Sequence, residues 1–492
     1  MVYKEYVQMS KTKKFLDSVH GFISVPDEYC KRFIDTENFQ RLRRIEQMSA
    51  RSLFPSAHHD RFIHSIGVYH IGCKIVDSIR RKKSDIDESI VESYKIACLL
   101  HDCAHSPFSH TFEHLFGEKD ELFGEYQTIT EKYDPAIKTI NVNSASDTKH
   151  HEIISAILCV TLYRESIISA EHNPSPELIG RMIMGCKYKT KEKSIEDCFI
   201  ELLHGFIDAD RLDYICRDRW AAGYMSSSVD VERLIDSIEL FNHNGYWKVT
   251  FGKNALSEIQ SVIDAKNFQN ICMFNHHQVK YEQWLLKKCV EELVIFMCNG
   301  KEINPKILFN HHAFISPQPV NEHTNIYLPS DDDLIHLMKS HYNEIPHFKE
   351  WQSRSYNYFP LWKSRAEFIS IFEELGGASL LKISTPDIYD KIEELLNRDG
   401  FDCMQSPFSV KIELKTIIEK DAVLIKIGDK VINYAKLNIP TLQDVYKDES
   451  FKYVFVNKKY IKMKDELIKR IKRFLRELLE SVNIKVEEET IS

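Results

Sequence analysis

The sequence has no apolar run approaching the roughly 20 residues that span a bilayer, and this excludes a membrane-spanning helix. Its 12 cysteines include no CxxC pair, which argues against a cysteine-ligated zinc site. No internal repeat or low-complexity tract is present. Residues 1–14 are polar and basic and lack the apolar segment of a secretory signal. We therefore expect reduced thiols, a cytoplasmic location and no membrane partner.

The composition is ordinary for a soluble globular protein. Apolar residues make up 43% and charged residues 28% of the chain. At 492 residues the chain exceeds one ordinary hydrophobic core, so two or three subdomains are expected. The net charge of −8 argues against a surface that coats nucleic acid, although a local basic pocket stays compatible with it. Nucleic acid is therefore a possible partner that the charge does not favour.

Apolar periodicity predicts a mostly α fold. Residues 27–78 and 88–100 carry apolar side chains at helical spacing. Further helical patterns cover residues 151–163, 176–184, 195–217, 231–240, 256–298, 331–341 and 365–375. Alternation predicts a strand over 246–251, further strands over 408–418, 422–431 and 453–456, and a closing basic amphipathic helix over 463–482. We predict a helical core followed by a smaller α+β C-terminal region.

Four side chains with metal-binding atoms stand in segments that read as helix: His64, the adjacent pair His101 and Asp102, and Asp210. Neutral imidazole nitrogens and carboxylate oxygens hold divalent cations while leaving coordination positions open for water and substrate. Packed helices can bring such donors together in a core. We therefore predict a divalent-metal site, for which Mg²⁺, Mn²⁺, Fe²⁺ and Zn²⁺ all accept the same donors.

The contexts of these donors form ordered motifs. They are RFxHS at residues 61–65, HDxxHxPFSH at 101–110 and DxDRLDYxxRD at 208–218. With them the chain resembles the HD-domain phosphohydrolases, and among these the deoxynucleoside triphosphate triphosphohydrolases of the sterile-alpha-motif type. The resemblance covers roughly residues 13 to 300, the catalytic part of that family. It implies a helical catalytic core with an N-terminal regulatory segment over residues 1–300 and an α+β region over residues 301–492.

The resemblance also implies roles. The metal ligands would be His64, His101, Asp102 and Asp210. The catalytic histidines would be His105, His110 and His151, of which His151 protonates the leaving oxygen. The substrate contacts would be Gln47, Arg61, Arg211, Tyr214, Asp218 and, in place of family arginines, Lys266. The implied reaction is hydrolysis of a deoxynucleoside triphosphate to the deoxynucleoside and inorganic triphosphate.

The family further has a regulatory nucleotide site between subunits. Lys13, Asp35 and Arg43 match its guanine-nucleotide contacts, with Asp35 at the base and Arg43 at the phosphates. The resemblance therefore implies nucleotide activation coupled to assembly of a homo-oligomer, a dimer or a tetramer. A simpler interpretation is that Arg43 stabilises its own helix through Asp35.

The chain departs from the family around residues 264–280. Relatives place several arginines there near the triphosphate and a tyrosine at the sugar, whereas this stretch has Lys266 and, later, Phe274. After Gln47, a glycine-rich stretch is replaced by Met48-Ser49-Ala50-Arg51. Two alternatives follow: a phosphodiesterase or nuclease of the same superfamily, acting on nucleic acid or cyclic nucleotides, and a nucleotide-sensing oligomer with vestigial hydrolysis.

Overall fold

The computed structural model shows a predominantly helical chain, as the periodicity predicts. It describes residues 11–50, 53–140, 148–224, 229–381, 388–405, 423–428, 430–437 and 451–481. In the first 300 residues the helices are α1 Asp27–Tyr29, α2 Glu37–Arg41, α3 Arg61–Lys82, α4 Glu88–Leu100, α5 Lys119–Thr130, α6 His150–Val160, α7 Arg164–Ile168, α8 Pro176–Met184, α9 Ser194–Leu203, α10 Ala209–Ala221, α11 Val231–Asp236, α12 Leu256–Phe268 and α13 His277–Met297.

The later helices are α14 Asp331–Ser340, α15 Pro346–Ser353, α16 Arg365–Ile371, α17 Gly377–Leu380, α18 Ile388–Arg398 and α19 Lys464–Ser481. The strands are β1 Thr12–Asp17, β2 Gly21–Pro26, β3 Ile238–His243, β4 Tyr246–Gly252, β5 Gln318–Asn321, β6 Thr324–Ile326, β7 Tyr358–Pro360, β8 Cys403–Gln405, β9 Leu424–Ile427, β10 Lys430–Asn433 and β11 Val454–Asn457. Within the described ranges no helix is long and apolar enough to cross a bilayer.

The strands form small sheets at the edges of the helical core. β1 and β2 make an antiparallel hairpin. A mixed sheet has the order β10-β9-β4-β3, in which only β4 and β9 run parallel. β7, β11 and β8 form an antiparallel sheet, and β5 pairs with β6. Residues near the C-terminus thus complete a sheet that begins at β3.

Two large buried apolar cores and one small cluster around Met48 and Met273 organise the described elements. The first lies among α3, α4, α6, α8, α9 and α10 and also receives Val423, Ile425 and Tyr434. The second combines residues 359–475 with Tyr281 and Leu285 of α13. This second core draws on both sides of residue 300, and the division of the chain at that residue stays a prediction.

Local hydrogen bonds interrupt two of the predicted helices. The pattern over 195–217 is divided at residues 204–208, because the Asp208 side chain accepts from the Arg211 backbone N–H and begins α10. The pattern over 256–298 is divided by a π-helical turn, Gln269–Phe274, ahead of α13. The predicted strand over 408–418 lies outside the described residues. Most of the remaining predicted helices are shorter than predicted or shifted by a few residues. Two differ more: the last residues of the pattern over 231–240 form the start of β3, and the pattern over 27–78 contains a loop before α3.

Candidate metal centre

Three helices bring the four predicted metal-binding side chains together in the first core. His64 lies on α3, His101 and Asp102 directly follow α4, and Asp210 lies in the first turn of α10. His64 Nε2 is 3.0 Å from Asp210 Oδ1, and His101 Nε2 is 3.7 Å from the same oxygen. One donor atom from each of these three residues lies within 4.8 Å of the others. Asp102 adjoins the group, with Oδ2 3.6 Å from His64 Nε2.

Hydrogen bonds at Nδ1 fix the orientation of both histidine rings. His64 Nδ1 donates to Asp213 Oδ2 at 2.7 Å, and His101 Nδ1 donates to the Cys98 carbonyl at 3.0 Å. With the proton on Nδ1, the Nε2 lone pair is left for a cation. Both Nε2 atoms are buried and find no hydrogen-bond partner among the residues that the structure describes. Two such nitrogens beside two carboxylates fit a divalent metal ion, so the expected cofactor class is confirmed.

Most of the negative charge of this centre is buried, because the Asp102 and Asp213 carboxylates are almost fully enclosed while that of Asp210 is 34% exposed. Burial opposes protonation of His64, but the Asp210 and Asp213 carboxylates raise its pKa to about 10. The same carboxylates would stabilise a bound cation in place of that proton. The assignment of the individual ligands stays a prediction.

Arg61 links the metal-binding donors to the loop that carries Ser109. Its Nη1 is 2.5 Å from Asp102 Oδ2, and its Nε donates to Ser109 Oγ at 3.0 Å. Burial alone would raise the pKa of Asp102, but Arg61 and the neighbouring histidines hold it well below its ordinary value. Asp102 is therefore ionised at neutral pH and available to a cation.

A second histidine group lies beside Asp102. The rings of His105 and His151 stack with centroids 4.0 Å apart, and those of His105 and His110 are 4.7 Å apart. His151 Nε2 is 3.7 Å from Asp102 Oδ1, so the group adjoins the metal-binding donors. Burial holds the pKa of His105 far below its ordinary value, and both of its ring nitrogens lack a hydrogen-bond partner in the described part of the chain.

Glu113 is a residue of this group that sequence analysis missed. Its Oε2 accepts from His151 Nδ1 at 2.5 Å, and its Oε1 lies 3.4 Å from His110 Nδ1. Burial opposes ionisation of Glu113, but His151 and His110 together hold its pKa far below the ordinary value. The only signal in the sequence is its place three residues after His110, at the end of the HDxxHxPFSH motif.

Asp213 supports the metal centre by binding His64 on the side of the ring that faces away from the other donors. Its carboxylate accepts from Arg217 Nε and Nη2 at 2.8 and 2.9 Å. It also binds His64, and its Oδ1 lies 2.7 Å from His20 Nε2. Arg217 in turn donates to Asp17 at 2.6 Å, which ties the β1–β2 hairpin to the centre.

The predicted phosphate and sugar contacts lie on α10 and α12. Arg211 donates to the carbonyls of Gly205 and Phe206 at 2.6 and 2.8 Å. Lys266 lies 5.6 Å from the centre of the Phe206 ring. Tyr214, one turn after Asp210, is half-buried. Arg211 and Lys266 both lie near Phe206, and the substrate roles of Arg211, Tyr214 and Lys266 stay predictions.

Two further predicted contacts are placed differently. Asp218 is buried and accepts from His59 Nε2 at 2.9 Å, a contact that sequence analysis did not foresee. Gln47 lines a cavity that also borders His110, and its backbone N–H donates to the carbonyl of His59 at 3.0 Å.

The predicted regulatory residues lie on the surface. Lys13 Nζ is 2.8 Å from Asp35 Oδ2, and the two side chains are about half exposed. Arg43 donates to Gln40 at 2.9 Å and lies 3.5 Å from the centre of the Phe62 ring. Asp35 is not among these contacts of Arg43 in the described part of the chain, so they give no support to the simpler interpretation that Arg43 stabilises its own helix through Asp35.

Asp331 links the C-terminal region to the loop that carries His105 and His110. It is buried at the start of α14 and accepts from the backbone N–H of Phe108 at 2.6 Å and of Glu46 at 3.0 Å. Phe108 and Ser109 both have φ of 55°, in the left-handed region, just before His110. No motif marks Asp331, because the contact spans more than 220 residues of sequence.

Comparisons with known proteins agree with this geometry. The HD domain family matches residues 61–203. An uncharacterized protein of Methanocaldococcus jannaschii is 29% identical over 279 residues, 56% of this chain and 49% of that relative. The deoxynucleoside triphosphate triphosphohydrolase SAMHD1 homolog of Dictyostelium discoideum is 32% identical over 235 residues, 47% of this chain and 40% of that relative. This chain therefore aligns with about half, or less, of the length of these relatives.

A solved structure shares the fold. The crystal structure of a phosphohydrolase from Bacteroides thetaiotaomicron has a TM-score of 0.62 and 18% identity, and the match covers 90% of this chain and 99% of that chain. The family match falls on the segment that carries His64, His101 and Asp102. Residues 61–203 of this chain therefore match the HD domain family, and the rest of the chain lies outside that match.

Proposed function

We propose that this chain is a metal-dependent phosphohydrolase that converts deoxynucleoside triphosphates to deoxynucleosides and inorganic triphosphate. One observation carries the proposal: the buried Nε2 atoms of His64 and His101 face the Asp102 and Asp210 carboxylates without a partner in the described chain. The nucleotide class is supported by the match at Tyr214 and by the similarity to the Dictyostelium deoxynucleoside triphosphate triphosphohydrolase homolog.

The neighbouring residues have the chemistry that such a reaction requires. A divalent cation held by the four donors would lower the pKa of water and bind a phosphoryl oxygen. Arg61 would place its planar, permanently charged guanidinium beside the same phosphate. His151 would give the proton on Nε2 to the leaving oxygen when the phosphorus–oxygen bond breaks, while Glu113 holds the Nδ1 proton.

The test is product analysis. Purified protein with Mg²⁺ or Mn²⁺ should release deoxynucleoside and inorganic triphosphate from the standard dNTPs. The same assay is run on each NTP, and every substrate is tested with and without a second nucleotide. Release of pyrophosphate or orthophosphate would reject the assigned cleavage position. The His101→Ala variant should be inactive, while the control His323→Ala, at an exposed position, should retain parental activity.

We also propose that a guanine nucleotide activates the enzyme at Lys13, Asp35 and Arg43 and favours a homo-oligomer. The exposed contact between Lys13 and Asp35 supports this, because a ligand can reach both side chains. Asp35 would accept from the base, and Lys13 and Arg43 would bind the phosphates. Linkage then requires that assembly strengthen nucleotide binding by the same factor.

A further inference from the structure

A cationic cavity opens beside the catalytic histidines. It has a volume of about 330 Å³ and lies between the loop after Gln47, the turn that carries His110, and one face of α13. Ser49 and Thr111, on two of these walls, are joined through their hydroxyls at 2.9 Å. Ser109 lines the cavity and binds Arg61, so the cavity is continuous with the surroundings of the metal centre.

Two lysines of α13 face this cavity. Lys280 and Lys287, seven residues apart on α13, lie on the same face of that helix and line the cavity with His110 and His114. The described residues that line it include no carboxylate. Burial, helped by Lys287, lowers the pKa of Lys280 to about 8. An anion bound between these groups would relieve their mutual repulsion.

The two α13 lysines lie close in sequence to the stretch where the arginines of the relatives are missing. The stretch before α13, residues 264–276, lacks the arginines of the relatives, and its one lysine is Lys266 on α12. Further along the chain, α13 instead carries positive charge on the side of the cavity. Gln47 also indicates a ligand in this cavity. Its buried Oε1 has no hydrogen-bond partner in the described ranges and can accept from a ligand hydroxyl or amine.

We propose that this cavity binds a second phosphate of the substrate, so that the preferred substrate is a nucleotide phosphorylated on its sugar as well as at the scissile position. The inference rests on the proposed hydrolysis at the metal centre. Lys280 and Lys287 would pair with the second phosphate, and Gln47 would accept from the sugar or the base. A free 3′-phosphate and the phosphodiester of a short single strand offer the same chemistry.

The test compares matched substrates. Each dNTP is assayed beside the same nucleotide carrying a 3′-phosphate and beside a dinucleotide with a 5′-triphosphate. We expect the 3′-phosphate to lower KM at least tenfold, and the K280Q/K287Q double variant to abolish most of that preference. Preference for the dinucleotide over the 3′-phosphate would identify a strand end as the source. The matched control is K288Q, since Lys288 adjoins Lys287 but pairs with Glu291 at 2.7 Å and does not line the cavity.

A second readout does not depend on turnover. Deoxyadenosine 3′,5′-bisphosphate should protect Lys280 and Lys287, but not Lys288, from acetylation measured by mass spectrometry. Equal KM values for the two nucleotides together with no protection would overturn the inference while leaving hydrolysis intact. Absence of hydrolysis with protection retained would instead reject the proposed reaction and keep the phosphate site.

Discussion

Gly67 of α3 lies so close to Asp213 of α10 that a Cβ added at Gly67 would be 2.0 Å from Asp213 Oδ1. The same Cβ would be 2.5 Å from Arg217 Nη2, the partner of that carboxylate. Since Asp213 orients His64 through Nδ1, the glycine is required for the packing behind the metal centre.

The Gly67→Ala substitution should therefore weaken metal binding, by about 10- to 100-fold as for other residues behind metal ligands. The added methyl group should also lower the free energy of unfolding by about 1–3 kcal/mol. Calorimetric titration with Mn²⁺ and chemical denaturation measure the two effects. The control is Gly124→Ala on α5, where no atom lies within 4 Å of the added Cβ. The Gly124→Ala change should stabilise the helix by about 0.5–1 kcal/mol. A metal affinity in Gly67→Ala equal to that of the parent would contradict the prediction.

Replacement of Glu113 by glutamine should reduce kcat without loss of metal. The amide keeps the shape but removes the charge that faces His151, so we expect a decrease of about 10- to 100-fold, below the 10²–10⁴ typical of losing a general acid. Steady-state kinetics and metal titration separate the two properties. Glu118→Gln, at an exposed position five residues on, should behave like the parent. If the kcat of Glu113→Gln equals that of the parent, Glu113 has no part in catalysis.

Asp331 should make stability depend on pH. Burial raises its pKa from 3.8 to about 7, although the Phe108 and Glu46 backbone N–H groups lower it. Between these values the folded chain binds a proton that the unfolded chain has lost, so stability decreases as pH rises from about 4 to about 7. The slope from this group is at most about 1.4 kcal/mol per pH unit.

Denaturation of the parent and of Asp331→Asn across this pH range measures that slope. The difference in unfolding free energy between the two should change with pH. Asp332→Asn, at the exposed neighbouring carboxylate, should show a constant difference from the parent. A constant difference for Asp331→Asn as well would show that Asp331 has an ordinary pKa.

Activation by a guanine nucleotide should require Asp35. The Asp35→Ala variant should lose the rate increase caused by GTP and the accompanying rise in mass measured by light scattering, while its unstimulated rate stays within about twofold, a loss below 1 kcal/mol. Lys31→Ala removes a comparable exposed ion pair with Asp27 and should keep full activation. If Asp35→Ala responds to GTP like the parent, the regulatory site lies elsewhere.

Much of the helical core could be predicted from sequence, because its helices bury continuous apolar stripes. The helix over 176–184 begins and ends where its pattern does, and the pattern over 88–100 forms α4. Breaks within long patterns were missed, since they depend on single capping contacts such as that of Asp208. The mixed sheet could not be foreseen either, because β9 pairs with a strand more than 170 residues earlier.

The metal-binding donors were predictable because each stands in an ordered motif. His64, His101 and Asp210 come together as that order implies. The supporting residues have no such signal. Glu113 and Asp331 are common acidic residues whose importance comes only from burial and from partners distant in the fold. The lysines of α13 likewise look like a solvated helix face until the cavity beside them is seen.

The most direct test of the four-donor site is an anomalous difference map from crystals of the protein soaked in Mn²⁺. We predict one strong peak within about 2.5 Å of His64 Nε2, His101 Nε2 and the carboxylates of Asp102 and Asp210. The neighbouring group of His105, His110 and His151 could also hold a cation by its spacing. A peak within that histidine group alone, or no peak near either group, would contradict the proposed metal centre.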